Sequence, residues 1–272
     1  MKHASGLRRH FCPRLVFAAF PHLLAAVLLA ASARCSSAAD APKPEHKVRI
    51  VLVGDSTVTD KSGWGLGFKQ FLADGAECLN ASASGRSSKS YLDEGKWTNA
   101  LALKGDYYLI QFGHNDEPGK GPERETAPDT SFTTNMTRYV NEARAIGARP
   151  VLITSLTRRS WDKSNPGKIK SSLTPYVAAV KKIASEKNVP LIDLHARSID
   201  VCEKLGCDGC VQFSAVKVVD GTNTVDTTHL NEAGSVLFGG VVAAELRKAV
   251  PELAPLLRSE PREVPPKPAS AN

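Results

Sequence analysis

Residues 48–57 read VRIVLVGDST, an apolar and largely β-branched run that ends at a glycine and three polar residues. A run this short and this apolar predicts a buried strand over residues 48–53. Gly54 would permit a sharp turn that leaves Ser56 at the carboxyl end of the strand. Open α/β sheets bind their ligands at that edge. Ser56 is therefore the first candidate for a functional residue.

Strands and helices are predicted to alternate along the rest of the chain. Four more strand-like runs lie at residues 77–80, 107–112, 149–154 and 189–193, and helical patterns lie at residues 65–73, 132–146, 173–187 and 231–250. Helices between consecutive strands imply crossover connections and parallel pairing. We therefore predict an α/β fold, a three-layer α/β/α sandwich of the flavodoxin-like type around a mostly parallel five-stranded sheet.

A candidate base lies near the other end of the chain, in the sequence DTTH at residues 226–229. A serine hydroxyl is a poor nucleophile until a base removes its proton, and His229 can supply that base if the fold brings it to Ser56. Asp226 is close enough in sequence to orient the imidazole. Taken alone, each motif is weak, because a Gly-Asp-Ser stretch is usually only a turn.

Two segments between the nucleophile and the base offer hydrogen-bond donors. Residues 80–88 read NASASGRSS, where Gly85 can present its backbone N–H without a side chain in the way. Residues 113–116 read GHND and directly follow a strand-like run, so Asn115 is expected at the same sheet edge as Ser56. Acyl transfer needs such donors for the negative charge that develops on the carbonyl oxygen.

These four segments, in this order, resemble the SGNH hydrolase superfamily, also called the GDSL-like esterases. The resemblance implies that Ser56 is the nucleophile and one backbone donor of the oxyanion hole. It implies that Gly85 is a second backbone donor and Asn115 a side-chain donor. It further implies that His229 is the base and that Asp226 completes a catalytic triad, with no cofactor and no metal ion.

Longer matches resemble one branch of that superfamily, the rhamnogalacturonan acetylesterases, which remove acetyl groups from pectin. The matching blocks are GDSTV at 54–58, GWG at 63–65, SGRS at 84–87, FGHND at 112–116 and DTTH at 226–229. The branch implies a secreted carbohydrate esterase that acts on an acetylated plant cell-wall polysaccharide. The stretch between Ser56 and Trp64 is short, and bacterial members resemble deacetylases of other sugars, so the polysaccharide stays open.

Three side chains near these motifs are candidates for substrate contacts. Trp64 could stack on a sugar ring or pack in the core, and Arg86 could bind a substrate carboxylate. His114 could contact substrate or, with Asp116, brace the oxyanion loop. His195 follows a predicted strand and is expected to be a structural residue.

The first 39 residues have the pattern of a signal peptide, with basic residues followed by an apolar stretch at 23–31 and small residues before position 40. The stretch is too short to predict a membrane span. Cys35 invites a lipoprotein reading, which Arg34 disfavours. We expect a secreted or periplasmic enzyme with a linker at 40–47, one hydrolase domain at 48–250 and a proline-rich, disordered tail at 251–272.

Charge gives no indication of a nucleic-acid partner. The whole chain has a net charge of +7, but removal of residues 1–39 leaves 30 basic and 28 acidic residues, a net charge of +2. A nucleic-acid-binding domain is expected to cluster its basic residues on one face. The expected partner is an acetylated polysaccharide or oligosaccharide, and the expected state is a monomer.

Four cysteines remain after residue 39, at positions 78, 202, 207 and 210. Exported proteins favour disulfides over free thiols, so we expect a local bridge within the cluster 202–210. A zinc site is disfavoured because a fourth ligand would have to come from elsewhere. The sequence leaves the pairing open.

Three alternatives to the acetylesterase hypothesis use the same fold. An O-acetyltransferase would pass the acetyl group to a sugar, and a lipolytic esterase would need a broad apolar cleft, which the polar loops around Ser56 and Asn115 disfavour. A carbohydrate-binding protein without catalysis would not need the full set of nucleophile, base, orienting carboxylate and oxyanion donor.

Overall fold

The computed structural model describes residues 46–262 of the chain. The predicted signal peptide and most of the predicted linker lie outside the described residues, as do residues 263–272. No helix within residues 46–262 is both long enough and apolar enough to cross a membrane.

The centre of the domain is a five-stranded sheet in the order β2-β1-β3-β4-β5, and all of its pairings are parallel. The strands are β1 (Val48–Gly54), β2 (Ala76–Asn80), β3 (Tyr107–Gln111), β4 (Arg149–Ile153) and β5 (Leu191–Ile192). This is the flavodoxin-like order, and it confirms the predicted fold. The last strand is shorter than the predicted run at 189–193.

Seven α-helices lie in the described part of the chain. They are α1 (Gly65–Lys69), α2 (Ser88–Asp93), α3 (Lys96–Ala102), α4 (Thr133–Ala145), α5 (Thr174–Glu186), α6 (Leu194–Val211, kinked at Gly206) and α7 (Glu232–Ala249). A π-helical turn, Pro128–Phe132, precedes α4. The predicted helices at 132–146, 173–187 and 231–250 agree with α4, α5 and α7 to within about one residue at each end. The one predicted at 65–73 is shorter, and α2, α3 and α6 were not predicted.

Successive residues of β1 pack on opposite faces of the sheet, as the geometry of a strand requires. Ile50 and Leu52 pack in one apolar cluster with Phe238 of α7. Val51 and Val53 pack in the other cluster, which includes Tyr139 of α4. All six side chains are fully buried or nearly so. A strand of a parallel sheet that is covered on both faces has a nearly continuous apolar sequence. This is why residues 48–53 indicated the fold.

A two-stranded antiparallel hairpin lies outside the main sheet. Its strands are β6 (Ser214–Val219) and β7 (Thr222–Leu230). Val216 pairs with Val225, and both side chains are exposed. The prediction missed this hairpin because its valines do not face a core.

Residues 251–262 depart from the predicted disordered tail. A 3₁₀ helix, Pro251–Leu256, follows α7 directly. Leu253 and Leu257 are buried in the core, and Leu257 forms a bridge to Leu72. The domain boundary predicted at residue 250 is therefore too early, because leucines of this segment pack in the same core cluster as Ile50 and Leu52 of β1.

The cysteines also depart from prediction, since all four are free thiols. The helix α6 directs Cys202 and Cys210 into the core, whereas Cys207 faces solvent. The Cys210 Sγ lies 3.6 Å from the Cys202 carbonyl oxygen. The expected bridge in this cluster is thus absent.

We predict that Leu253→Ala destabilises the domain by about 2–5 kcal/mol, because it leaves a cavity in the core. Leu66→Ala is the control, since Leu66 is 38% exposed on α1 and its loss should change stability by about 0.5 kcal/mol. Urea unfolding of both variants checks this. Equal, small effects would show that the segment after Val250 does not contribute to the core.

Candidate active site

Ser56 lies in the turn that follows β1. Position 54, at the start of this turn, has room only for glycine. A Cβ at Gly54 would lie 2.5 Å from the Gln111 carbonyl oxygen and 2.6 Å from the Val58 Cγ2. Glycine is therefore required because the backbone at position 54 passes close to β3. Ser56 follows directly and lies at the carboxyl edge of the sheet. Ser56 is 9% exposed.

Ser56, His229 and Asp226 form a continuous hydrogen-bonded chain. The Ser56 Oγ lies 2.8 Å from His229 Nε2, and His229 Nδ1 lies 2.8 Å from Asp226 Oδ2. The hairpin strand β7 carries both the histidine and the aspartate. With Nδ1 protonated toward the carboxylate, Nε2 is free to accept the serine proton.

The carboxylate of Asp226 is also held by the backbone of its own turn. Its Oδ1 accepts hydrogen bonds from the N–H groups of Thr228 at 2.8 Å and His229 at 3.0 Å. Burial by itself would raise the pKa of Asp226, but the hydrogen bonds from the His229 side chain and from these two N–H groups lower that pKa to about 2. The carboxyl group of Asp226 is therefore ionised whenever the protein is folded near neutral pH.

A buried polar network supports the turn from below. The Asp55 Oδ1 accepts from the Thr57 N–H at 2.9 Å and from the Thr57 hydroxyl at 2.7 Å. The Gln111 Nε2 donates to Thr57 Oγ1 at 2.7 Å, and the Trp64 Nε1 donates to Gln111 Oε1 at 3.0 Å. Trp64 is fully buried. The expectation that it stacks on a sugar ring is wrong, because its ring is part of the core.

The two further candidate donors for an oxyanion face the same cleft as Ser56. Gly85 has a φ of +75°, and no atom lies within 4 Å of a Cβ placed on it. The Asn115 Nδ2 donates to the Arg86 carbonyl oxygen at 3.2 Å. An amide nitrogen carries two protons, so one remains for a ligand.

Asp116 fixes the loop that carries Asn115. Its carboxylate accepts from the Ser88 N–H at 3.0 Å, the Ser88 hydroxyl at 2.5 Å, the Gly113 N–H at 3.0 Å and the Thr126 hydroxyl at 2.9 Å. Burial raises the pKa of Asp116 to about 7 in spite of the hydrogen bonds from Ser88 and Thr126. This side chain joins the loop after β3 to the start of α2, so it acts as a brace.

These groups open into a cleft of about 520 Å³. Its apolar side comes largely from the hairpin, through Ala215, Val216 and Leu230, and the rest is mostly polar. The lining residues are Ser56, Lys61, Ser62, Ser84, Gly85, Asn115, Ala215, Val216, Asp226, His229 and Leu230. A cleft of this kind can present an ester to the serine, with oxyanion donors beside it.

Two predicted substrate contacts lie elsewhere. The Arg86 guanidinium pairs with Glu94 at 2.9 Å and donates to the Ser84 carbonyl oxygen at 2.8 Å, outside the cleft lining. His114 is 3% exposed, and its Nδ1 lies 3.4 Å from the buried Asp55 Oδ2. His114 is too deeply buried to touch a substrate, so the expectation of a substrate contact there is wrong. Arg86 is partly exposed, and its contact with a substrate carboxylate stays a prediction.

His195 is buried, and its Nδ1 lies 2.9 Å from the Ser155 carbonyl oxygen. This position agrees with the structural role expected for it. No group of three or more His, Cys, Asp or Glu side chains is placed to hold a metal ion within residues 46–262.

Sequence reasoning missed the contacts that tie the nucleophile turn to β7. The hydroxyls of Thr59 and Ser62 donate to the Ser56 carbonyl oxygen at 2.8 and 3.2 Å. The Ser62 carbonyl oxygen in turn accepts from the Leu230 N–H at 2.9 Å. The density of Ser and Thr after Ser56 was a local signal for such a turn, but the pairing with Leu230 had none.

We predict that the stabilising effect of Asp226 disappears at low pH. A carboxylate whose pKa falls from 3.8 in the unfolded chain to about 2 in the folded one stabilises the fold above pH 3.8, and this stabilisation is lost as the pH falls through about 2. Urea unfolding of the native protein and of Asp226→Asn between about pH 6 and pH 2 should give a difference that narrows at the acid end. Asp93→Asn, a surface aspartate on α2, is the control, and a difference for Asp226→Asn that is the same at all pH values would contradict the assignment.

Comparison with known proteins gives relatives over most of the chain. A rhamnogalacturonan acetylesterase of Bacillus subtilis (RhgT) is 34% identical over 213 residues, which are 72% of this chain and 88% of that protein. A rhamnogalacturonan acetylesterase of Emericella nidulans is 30% identical over 228 residues, covering 74% of this chain and 84% of that protein.

A solved structure shares the fold. The protein YxiM of Bacillus subtilis superposes with a TM-score of 0.62 at 24% identity, over 74% of this chain and 56% of that one, so the chain spans little more than half of that relative. At this identity the likeness concerns the fold alone. The model of the GDSL-like lipase/acylhydrolase family matches residues 52–237, which include every residue of the triad and of the candidate oxyanion hole. The chain belongs to the GDSL-like lipase/acylhydrolase family.

Proposed function

We propose that this protein is a carbohydrate acetylesterase that removes O-acetyl groups from a pectin-type, rhamnogalacturonan-like polysaccharide through an acyl-enzyme. The observation that carries the proposal is the chain of two 2.8 Å contacts from Ser56 through His229 to Asp226, open to the cleft that Gly85 and Asn115 also line. The rhamnogalacturonan acetylesterases among its relatives support the choice of substrate.

In the first half of the reaction, the Ser56 Oγ attacks the acetyl carbonyl carbon while His229 Nε2 takes its proton. The ionised Asp226 stabilises the imidazolium that forms. The negative charge on the carbonyl oxygen is held by the N–H groups of Ser56 and Gly85 and by the Asn115 amide. The intermediate then expels the sugar oxygen, which takes the proton from His229, and leaves the acetyl group on Ser56.

In the second half, water repeats these steps on the acetyl-enzyme. His229 removes a proton from water, the hydroxide adds to the acetyl carbonyl, and the same three donors hold the oxyanion. Collapse of this intermediate returns the proton to the Ser56 oxygen and releases acetic acid. The second half repeats the steps of the first because one base and one oxyanion hole serve both halves.

The cleft favours a short acyl group on a polar chain. Its three aliphatic side chains, Ala215, Val216 and Leu230, all lie on the hairpin, while Lys61, Ser62 and Ser84 offer polar contacts. Long acyl chains would need a larger apolar surface to offset their hydration. This composition supports an acetyl ester over the long-chain ester of a lipolytic enzyme.

The sequence of residues 1–39 supports export, and we propose a secreted or periplasmic enzyme that acts as a monomer. An extracytoplasmic site agrees with a polymer substrate, since a polysaccharide does not cross a membrane freely.

We predict acetate release from acetylated rhamnogalacturonan-rich pectin, with slower release from acetylated xylan, and hydrolysis of a small acetyl ester. Ser56→Ala should lose about 10³- to 10⁶-fold in turnover. Ser185→Ala is the matched control, because Ser185 is exposed on α5 far along the chain from the triad. Acetate assay of the three proteins on the three substrates checks the prediction.

Each alternative gives a different result in the same assay. Transfer of acetyl to an added sugar alcohol in preference to water would indicate an O-acetyltransferase. Faster hydrolysis of long-chain than of acetyl esters would indicate a lipolytic enzyme. Binding of the polymers without any release of acetate would indicate a carbohydrate-binding protein.

We predict that Asn115→Ala lowers kcat by about 10²- to 10³-fold, because it removes a donor to the oxyanion. Asn99→Ala, an exposed asparagine on α3, is the control and should keep full activity. Steady-state kinetics on a small acetyl ester provide the measurement. An unchanged kcat for Asn115→Ala would remove Asn115 from the oxyanion hole.

A further inference from the structure

Two consecutive arginines follow β4, and their side chains run to different parts of the active site. Neither Arg158 nor Arg159 lines the cleft. Neither was singled out by the sequence motifs, since both lie on a segment that carries no catalytic group. Their hydrogen bonds nevertheless end on the two loops that hold the base and the oxyanion donor.

Arg159 holds the segment that carries the base. Its Nη2 donates to the carbonyl oxygens of Asp226 at 2.9 Å and His229 at 2.6 Å, and its Nε donates to the Ser214 hydroxyl at 2.8 Å. Its own backbone N–H donates to the Thr227 carbonyl oxygen at 2.7 Å. One residue therefore contacts both ends and the middle of the turn that presents the imidazole.

The environment of Arg159 is unusual for a cation. The side chain is 3% exposed, and within residues 46–262 it forms no salt bridge with a carboxylate, while its Nη1 is buried without a hydrogen bond. Burial lowers the pKa of Arg159. A buried guanidinium is costly unless its donors are satisfied. Here two of the three acceptors of the side chain are backbone carbonyls of the catalytic turn, so most of its hydrogen bonds form only when that turn is in place.

Arg158 holds the segment that carries the oxyanion donor. Its Nη2 lies 2.5 Å from Glu117 Oε2 and 3.3 Å from the His114 carbonyl oxygen, which belongs to the peptide leading into Asn115. Burial would raise the pKa of Glu117, but the hydrogen bond and charge of Arg158 help to bring it below its usual value. Arg158 thus contacts the loop both before Asn115, at the His114 carbonyl, and after it, at the Glu117 carboxylate.

We propose that Arg158 and Arg159 form a two-armed positioning unit that sets the base and the oxyanion donor from one strand end. The inference rests on the proposed roles of His229 and Asn115. Both arginines act through other residues, so they are positioning residues. Since a displacement of about 1 Å can cost about 10²-fold in rate, loss of either arm should lower kcat by up to about 10²-fold with little change in KM.

The test is a pair of crossed double-mutant cycles on a small acetyl ester. Methionine keeps the length and the apolar stem of arginine, so the variants are Arg159→Met and Arg158→Met. Residues that act as a unit have non-additive effects. Arg159→Met should therefore lower kcat only slightly further when Asp226→Asn is already present. When Asn115→Ala is present instead, it should lower kcat by the same factor as in the native protein. Arg158→Met should show the opposite pattern.

Arg138→Met is the matched control, because Arg138 is exposed on α4 and pairs only with Glu142 in the described structure. Urea unfolding midpoints of all variants separate loss of fold from loss of positioning. A conservative variant, Arg159→Lys, should recover only part of the rate, because a lysine cannot reproduce the fork that reaches both carbonyls and Ser214. Effects that multiply in both backgrounds, or an unchanged kcat in either single variant, would overturn the proposal.

A second measurement tests the role of Arg159 without depending on the identity of the substrate. The rate at which an alkyl fluorophosphonate labels Ser56 reports the nucleophile and its base without any acetyl ester. Slower labelling of Arg159→Met than of Arg138→Met would support the positioning unit even if no acetylated polymer is a substrate. Equal labelling rates would contradict it, whatever the acetate assay shows.

Discussion

The hydrogen bond between Ser56 Oγ and His229 Nε2 is the contact on which the active site depends, and it joins residues 173 positions apart in the chain. The two partners lie on different structural units. Ser56 follows a strand of the main sheet, and His229 is on a separate hairpin. A two-stranded hairpin has little stability of its own. The geometry of the base must therefore be imposed by contacts between the hairpin and the sandwich.

Hydrogen bonds supply several of those contacts, among them the bonds from the Arg159 guanidinium to the Asp226 and His229 carbonyl oxygens. The nucleophile turn is fixed from below by Asp55, Thr57 and Gln111, and it is tied sideways to β7 through the pair formed by the Ser62 carbonyl and the Leu230 N–H. Each bond is modest in free energy, but an unpaired buried partner is costly. The network thus favours a single arrangement of the site, and catalysis benefits because the donors need no reorganisation when charge develops.

The sequence was sufficient for the central sheet, and its motifs, through a family resemblance, identified the triad residues. It did not show the contact between those residues, and it failed where burial or long-range pairing decides. The run at 48–53 indicated a strand because both faces of a parallel strand are apolar. Trp64 was ambiguous, since its indole N–H needs a partner when buried and the distant Gln111 supplies it. The hairpin was missed because its valines are exposed, and the segment after Val250 because proline-rich composition concealed two core leucines.

A covalent acetyl-serine is the most direct consequence of a nucleophilic Ser56. The measurement is rapid acid quench of the enzyme during turnover of a small acetyl ester, followed by peptide mass analysis of the segment that contains Ser56. We expect one acetyl group on Ser56, absent from Ser56→Ala. An acetyl group on another residue, or full turnover by Ser56→Ala, would contradict this assignment.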